Sequence, residues 1–167
     1  MPGSRPPFTG RYGYVDTLDE VITKIRASIF GLRQPCHAPA GLPGRLMEII
    51  EEHTPQIGFT AGISFAGRLD LNMNAALADD ILAVTREALS NCARHAHATA
   101  ISISLALQDG LITMDITDNG RGPGTPARSS GLTDMRRRAE RYGGTFQLTA
   151  PDSGGTHLTW TARSGGP

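Results

Sequence analysis

Apolar residues recur along the chain in two periods, one helical and one alternating. Over residues 16–33, DTLDEVITKIRASIFGLR, they fall at Leu18, Val21, Ile22, Ile25, Ile29 and Leu32. That is one helical stripe, with Asp16 or Thr17 placed to cap its start. A Pro- and Gly-rich connector, 35–44, follows. Residues 45–53 predict a short helix closed by Pro55. IGFTAGISFAG, 57–67, predicts one or two strand pieces whose register the glycines leave open. From Ala75 to Ala96 runs the strongest helical pattern, with Leu77, Ile81, Val84, Ala88 and Leu89 on one face and Asn74 as its cap. ISISLAL (101–107) and LITMDIT (111–117) alternate apolar with polar across QDG, the signature of an antiparallel hairpin. GLTDMRRRAERYGG (131–144) predicts a helix stopped by Gly143–Gly144. TFQLTA and THLTWTA, on either side of PDSGG, predict two more strands.

Because the last strands arrive as hairpins, this order argues against a parallel doubly wound sheet. It predicts an α+β fold: a two-layer sandwich in which a mixed, mostly antiparallel sheet carries helices on one face. A length of 167 residues fits one such domain, placed at 41–163. A flexible leader, 1–15, and the helix over 16–34 precede it. The leader has no hydrophobic signal region, and no apolar run approaches the roughly 20 residues of a membrane helix. Sixteen basic residues balance sixteen acidic ones, and aromatics make up 5%. Neither feature points to a nucleic-acid partner. The two cysteines, Cys36 and Cys92, form no CxxC pair. They read as reduced thiols of a cytoplasmic protein.

Three stretches carry candidate chemistry. On the long helix, Glu87, Asn91 and His95 are spaced i, i+4, i+8, with Arg94 beside them. A row of carboxylate, carboxamide and imidazole is either a solvated polar face or a set of groups awaiting a ligand. Asp118 closes a strand and opens a loop containing Gly120, Gly122 and Gly124. The loop is either a glycine-rich turn or one that lets backbone amides approach a nucleotide, with the carboxylate accepting from an exocyclic amino group. Gly131-Leu132 opens a helix whose free amides suit a phosphate. The run Arg136, Arg137, Arg138 predicts a largely solvated basic face. Gly154-Gly155-Thr156 introduces the last strand.

Taken in order, ExxxN on a helix, DxGxG after a strand, a glycine-opened helix and a late GGT resemble the GHKL (Bergerat-fold) ATPases. This group contains histidine kinases, DNA gyrase and MutL. REALSNCARHAHAT (86–99) is similar to the N-box of the histidine kinases that pair with NarL-type response regulators, the DevS/DosS-like sensor kinases among them. TDNGRG (117–122) resembles their G1 box and 131–144 their G2 region. Residues 16–34 resemble the second helix of their dimerisation domain.

The resemblance implies the ATP-binding catalytic domain of a two-component sensor histidine kinase, with ATP and Mg²⁺ as cofactors. Glu87 would act as acid/base or water-orienting group, and Asn91 would hold Mg²⁺. Arg94 would approach phosphate, and His95 would stand near the nucleotide. Asp118 would bond the adenine amino group. Gly120 and Gly122 would let the loop close, and Gly131 and Leu132 would sit by the phosphates. Thr156 would lie behind Asp118. The implied partners are a NarL-type response regulator and a phosphoacceptor helix of the same or another kinase chain, with a homodimer through the dimerisation helix.

Two departures accompany the match. None of His37, His53, His95, His97 and His157 lies in an upstream acceptor helix, so the chain is not expected to phosphorylate itself. His37 and His53 read as surface residues. The lid, 121–130, is short and carries no phenylalanine. An anti-sigma-factor-like serine kinase and a non-catalytic nucleotide-binding or dimerisation module remain the alternatives.

Overall fold

The computed structural model describes residues 41–69, 73–124 and 130–165. The leader, the helix expected over 16–34, His37 and Cys36 lie outside these residues, as do positions 125–129 of the lid. Among the described residues three α-helices and five strands follow in the order α1 (Leu42–Ile57), β1 (Gly62–Ala66), α2 (Ala75–Asn91), β2 (Ile101–Gln108), β3 (Leu111–Asp118), α3 (Ser130–Arg141), β4 (Phe146–Thr149) and β5 (Thr156–Arg163). The strands form one sheet in the order β1-β2-β3-β5-β4. Only β1 and β2 run parallel, joined by the crossover that parallel pairing requires, here through α2. Every other pair is antiparallel.

Alternation along the strands divides the sheet into two faces. Ile103, Leu105, Ile112, Met114, Leu158, Trp160 and Ala162 are buried. Ser102, Ser104, Thr113, Asp115, Thr117, Thr159 and Thr161 face the other way and stay partly or fully exposed. The helices cover the apolar face, with α1 packed on α2 and α3 on β4 and β5, giving the expected α+β sandwich. The apolar stripe read from α2 is its buried face: Leu77, Ile81, Val84 and Leu89 are fully enclosed and Ala88 nearly so. Asn74 caps that helix, its side-chain oxygen accepting from the Ala76 N–H at 2.9 Å. The β2–β3 hairpin turns on Asp109 and Gly110, both with positive φ (51° and 75°), the combination a two-residue I′ turn needs. The α3 helix closes in a Schellman pair, Gly143 N–H to Glu140 O and Gly144 N–H to Ala139 O, each 3.0 Å.

Three boundaries differ from the sequence reading. The first helix spans 16 residues, not nine, and Pro55 lies inside it. Pro43 occupies the first turn, where a missing N–H costs nothing. Termination belongs to Gly58, left-handed at φ 90°, whose N–H reaches Thr54 O. Only Gly62–Ala66 of 57–67 is strand. The long helix stops being α at Asn91 and continues as a π-helical turn, Cys92–Ala96. The i, i+4, i+8 reckoning therefore ends at Asn91, because the π turn bonds i to i+5.

Asp80 sits in the buried stripe of α2, 3% exposed. It is held by two arginines of α3: Arg138 on one oxygen and Arg141, at 2.9 Å, on the other. A carboxylate this buried requires such partners. Arg138 is thus the one member of the 136–138 run committed to the interior. Arg136 instead lies over the Phe146 ring, 5.8 Å from its centroid.

Candidate functional site

Glu87 and Asn91 stand one turn apart on α2, both half-buried. Among the described residues neither side chain has a hydrogen-bond or ionic partner. A half-buried carboxylate and carboxamide left open in this way are available to a ligand. Glu87 lies in a cleft of about 380 Å³ walled by α1, α2 and α3, with His53, Arg86, Gly131, Asp134 and Arg138 in its lining. Gly131 packs directly on the Glu87 carboxylate: a Cβ there would come within 2.0 Å of Glu87 Oε1. A side chain at 131 would displace the carboxylate, so the glycine leaves the room in which Glu87 stands.

The π turn carries the second half of the arrangement. Ala96 is buried, its carbonyl accepting from Arg121 N–H at 2.9 Å. Gly120 is pressed on the same residue, and a Cβ at 120 would lie 2.2 Å from Ala96 O. The glycine of this loop is therefore required by a backbone-to-backbone approach within the protein. Asn119 adds a latch: its side-chain oxygen accepts from the Thr99 and Ala100 N–H groups at 2.8 and 2.9 Å. Asp118 Oδ1 accepts from Gly120 N–H at 2.8 Å, while no described residue bonds Oδ2. Thr156 is the register partner of Asp118 across the β3–β5 ladder. The loop is thus fastened to the end of the Glu87–Asn91 helix, and one carboxylate oxygen of Asp118 remains open.

The other expected residues fall as follows. Arg94 and His95 are exposed on the π turn, with Arg94 donating to Ser90 Oγ. Leu132 is partly buried against the core. Gly122 has φ 82°. His53 was read as a surface residue, yet it lines the Glu87 cleft. Ser90, Arg86 and Asp134 line it too and were not singled out. Positions 86, 87 and 90 share one helical face, which was the available signal.

Cys92, just after Asn91, is half-buried. Burial first, and the Asp118 carboxylate second, push its thiol from 9.0 up to about 11. Both effects disfavour the thiolate, so the residue should be inert. In a Cys36→Ser background, iodoacetamide should modify Cys92 about 10²-fold more slowly at neutral pH than an exposed thiol, following the smaller thiolate fraction. Because the folded value is the higher one, stability should fall as pH rises from 9.0 towards 11. Alkylation at the rate of an exposed thiol would contradict this.

Residues 76–165 match the family described as histidine kinase-, DNA gyrase B-, and HSP90-like ATPase. Over 130 residues the chain is 38% identical to the nitrate/nitrite sensor protein NarQ of Escherichia coli K12, covering 75% of this chain and 23% of NarQ. It is 35% identical over 89 residues to the sensor protein VraS of Staphylococcus aureus, covering 51% of this chain and 26% of VraS. The chain therefore spans about a quarter of the length of these relatives. The histidine kinase domain of the blue-light activated kinase of Erythrobacter litoralis superposes with a TM-score of 0.60 at 18% identity, covering 84% of this chain and 69% of that one. The ATP binding domain of PrrB from Mycobacterium tuberculosis gives 0.53 at 20% identity, covering 78% and 98%. These superpositions establish the shared fold. Among the described residues no helix is long and apolar enough to cross a membrane.

Proposed function

Since the chain belongs to the histidine kinase-, DNA gyrase B-, and HSP90-like ATPase family, we propose that it is the ATP-binding catalytic domain of a two-component sensor histidine kinase. One observation carries this reading. The unpartnered Glu87 and Asn91 lie on the helix whose π-helical end holds the Asp118 loop, and Asp118 keeps one oxygen free. In this reading Asp118 accepts a hydrogen bond from the adenine amino group, with Thr156 beside it in the ladder. Gly131 and Leu132 stand by the phosphates at the opening of α3, where the positive end of the helix dipole favours anions. Arg94 and His95 complete the phosphate side from the π turn. Gly122, at positive φ, gives the lid its turn. Glu87 is the acid/base or water-orienting group at the γ-phosphate.

Mg²⁺ suits Asn91: its carboxamide oxygen is a hard donor, half-buried and unbonded among the described residues. When bound, the ion neutralises phosphate charge. The protein's own part is positioning and electrostatics. Helix α2 and the α3 N-terminus fix the triphosphate between them, and Glu87, given room by Gly131, faces the reacting end. The acceptor is a histidine on a dimerisation helix of the same or another chain, and a NarL-type response regulator takes the phosphoryl group next. The similarity to NarQ favours that regulator class. Residues 16–34 would pair two copies, and the domain would work in the cytoplasm.

The test is transfer in trans. The chain is incubated with γ-labelled Mg·ATP and a separate acceptor helix that contains a histidine beside an acidic residue. Acid-labile, base-stable label on that histidine is the expected result. Label on a partner's serine instead would mark a serine kinase. Nucleotide binding without any transfer would mark a non-catalytic module.

A further inference from the structure

We propose that Asp80 is a positioning residue for phosphoryl transfer: its two arginines lock α3 against α2 in the register that leaves Glu87 room beside Gly131. The inference rests on the reading that Glu87 and the opening of α3 serve the γ-phosphate. Two contacts between these helices share one spacing. Asp80 on α2 takes Arg138 of α3 on one oxygen and Arg141, at 2.9 Å, on the other. Glu87, seven residues further along α2, stands against Gly131, seven residues before Arg138. The helices therefore run antiparallel. Seven residues make about two turns and about 10.5 Å of rise on each, so both contacts fall on one seam. Ala83 and Met135, midway along it, line the same cleft as Glu87.

Register matters here because only one residue of the α3 opening lacks a side chain. Sliding α3 by one position moves it about 1.5 Å and turns it about 100°. Ser130 or Leu132 would then face Glu87. Either would bring a Cβ that displaces the carboxylate, as one at 131 would. The apolar contacts of α3 do not prevent such a slip. Met135 and Ala139 are its buried residues, and apolar contact carries no direction. Trp160 Nε1–H donates to Met135 O at 3.0 Å, which ties α3 to β5 but sets no register against α2.

The Asp80 clamp has the direction that those contacts lack. Two arginines one turn apart, each on its own oxygen, resist both sliding and rolling of α3. Asp80 is buried, whereas both arginines reach solvent. A buried ion pair adds little net stability over a well-packed apolar replacement, and fixing register is the best attested use of such a pair. Asp80 touches neither Glu87 nor Gly131. It acts on them through the placement of α3.

The experiment compares the full 167-residue chain with Asp80→Asn and with the apolar replacement Asp80→Leu, Arg138→Met, Arg141→Leu. Transfer from Mg·ATP to the acceptor helix in trans gives kcat, and adenosine affinity is titrated in parallel. The third readout is the indole N–H resonance of Trp160. The chain has one tryptophan, and the bond to Met135 O makes its signal report where α3 lies. In Asp80→Asn the amide keeps one acceptor and sets an NH₂ against the other arginine. Its kcat should fall about ten- to a hundredfold, the loss that a misplacement of about 1 Å brings. The indole resonance should shift, and adenosine should bind as to wild type, because the adenine end lies on β3 and β5. The apolar variant should melt at or above the wild-type temperature and still show the loss in kcat.

The proposal is overturned if Asp80→Asn, or the folded apolar variant, transfers at the wild-type rate. It is also overturned if kcat falls while the Trp160 resonance stays in place, since α3 would not have moved. An apolar variant that does not fold would mark Asp80 as a stability element and overturn it as well. A wild type that binds an ATP analogue but labels no acceptor would instead overturn the sensor-kinase reading, and the role of Asp80 in transfer would fall with it.

Discussion

Asp118→Asn is expected to weaken binding of an ATP analogue by roughly ten- to a hundredfold, while the fold stays intact. The two carboxylate oxygens have separate duties. Oδ1 accepts from the Gly120 N–H at 2.8 Å and shapes the loop. Oδ2 has no partner among the described residues and is the oxygen that the proposed adenine contact would use. Asparagine keeps an oxygen for the loop but sets an NH₂ where, on the proposed reading, the adenine amino group would also donate. A hydrogen bond to a charged group contributes about 1.5–3 kcal/mol, and each 1.4 kcal/mol is about a factor of ten. Asp118→Ala removes both duties and should add some loss of loop order. Fluorescence titration with a labelled ATP analogue measures the change. Unaltered affinity in Asp118→Asn would remove Asp118 from the adenine site.

Trp160→Ala should destabilise the domain by about 3–5 kcal/mol. Trp160 is 0% exposed. Its register partners are Met114 on β3 and Phe146 on β4, and its Nε1–H donates to Met135 O on α3 at 3.0 Å. One side chain therefore ties the sheet centre, its edge and the helix after the lid. Removing it leaves a cavity that the β3–β5 ladder prevents from closing. Against a typical total of about 5–15 kcal/mol, the loss takes a large fraction of the stability. Trp160→Phe should cost much less, since Met135 O also lies within the α3 hydrogen-bond pattern. Urea unfolding followed by circular dichroism separates the two variants. Equal midpoints for Trp160→Ala and wild type would contradict the central place given to this residue.

What could be read beforehand followed from periodicity. The α2 stripe and the β2–β3 hairpin each depend on local pattern, and both took the expected form. Pro43 and Pro55 misled because the cost of a proline depends on where in the helix it falls, and that is settled by the ends. The π turn has no local signature. It is held by the docking of Gly120 and Arg121 on Ala96, from more than twenty positions away. The burial of Asp80 likewise has no local signature, because the partners that allow it, Arg138 and Arg141, come from α3.

The candidate site was legible as an ordered set of motifs, and the lining of its cleft was only partly so. Glu87, Asn91 and Asp118 announce themselves by spacing and by the glycines that follow. His53 enters the cleft only because α1 packs beside α2. The glycines of the Asp118 loop raised the question of ligand approach. For Gly120 the contact with Ala96 is sufficient reason, so its presence alone does not argue for a nucleotide.

Calorimetric titration of the wild-type chain with a non-hydrolysable ATP analogue, then with its GTP counterpart, both with Mg²⁺, tests the nucleotide site most directly. On the proposed reading an adenine amino group would donate to Asp118, whereas the guanine carbonyl at that position would set acceptor against acceptor. Saturable one-to-one binding of the ATP analogue, at least about tenfold tighter than the GTP analogue, is the expected result. No saturable heat with either nucleotide, or equal affinity for both, would contradict an adenine site at Asp118.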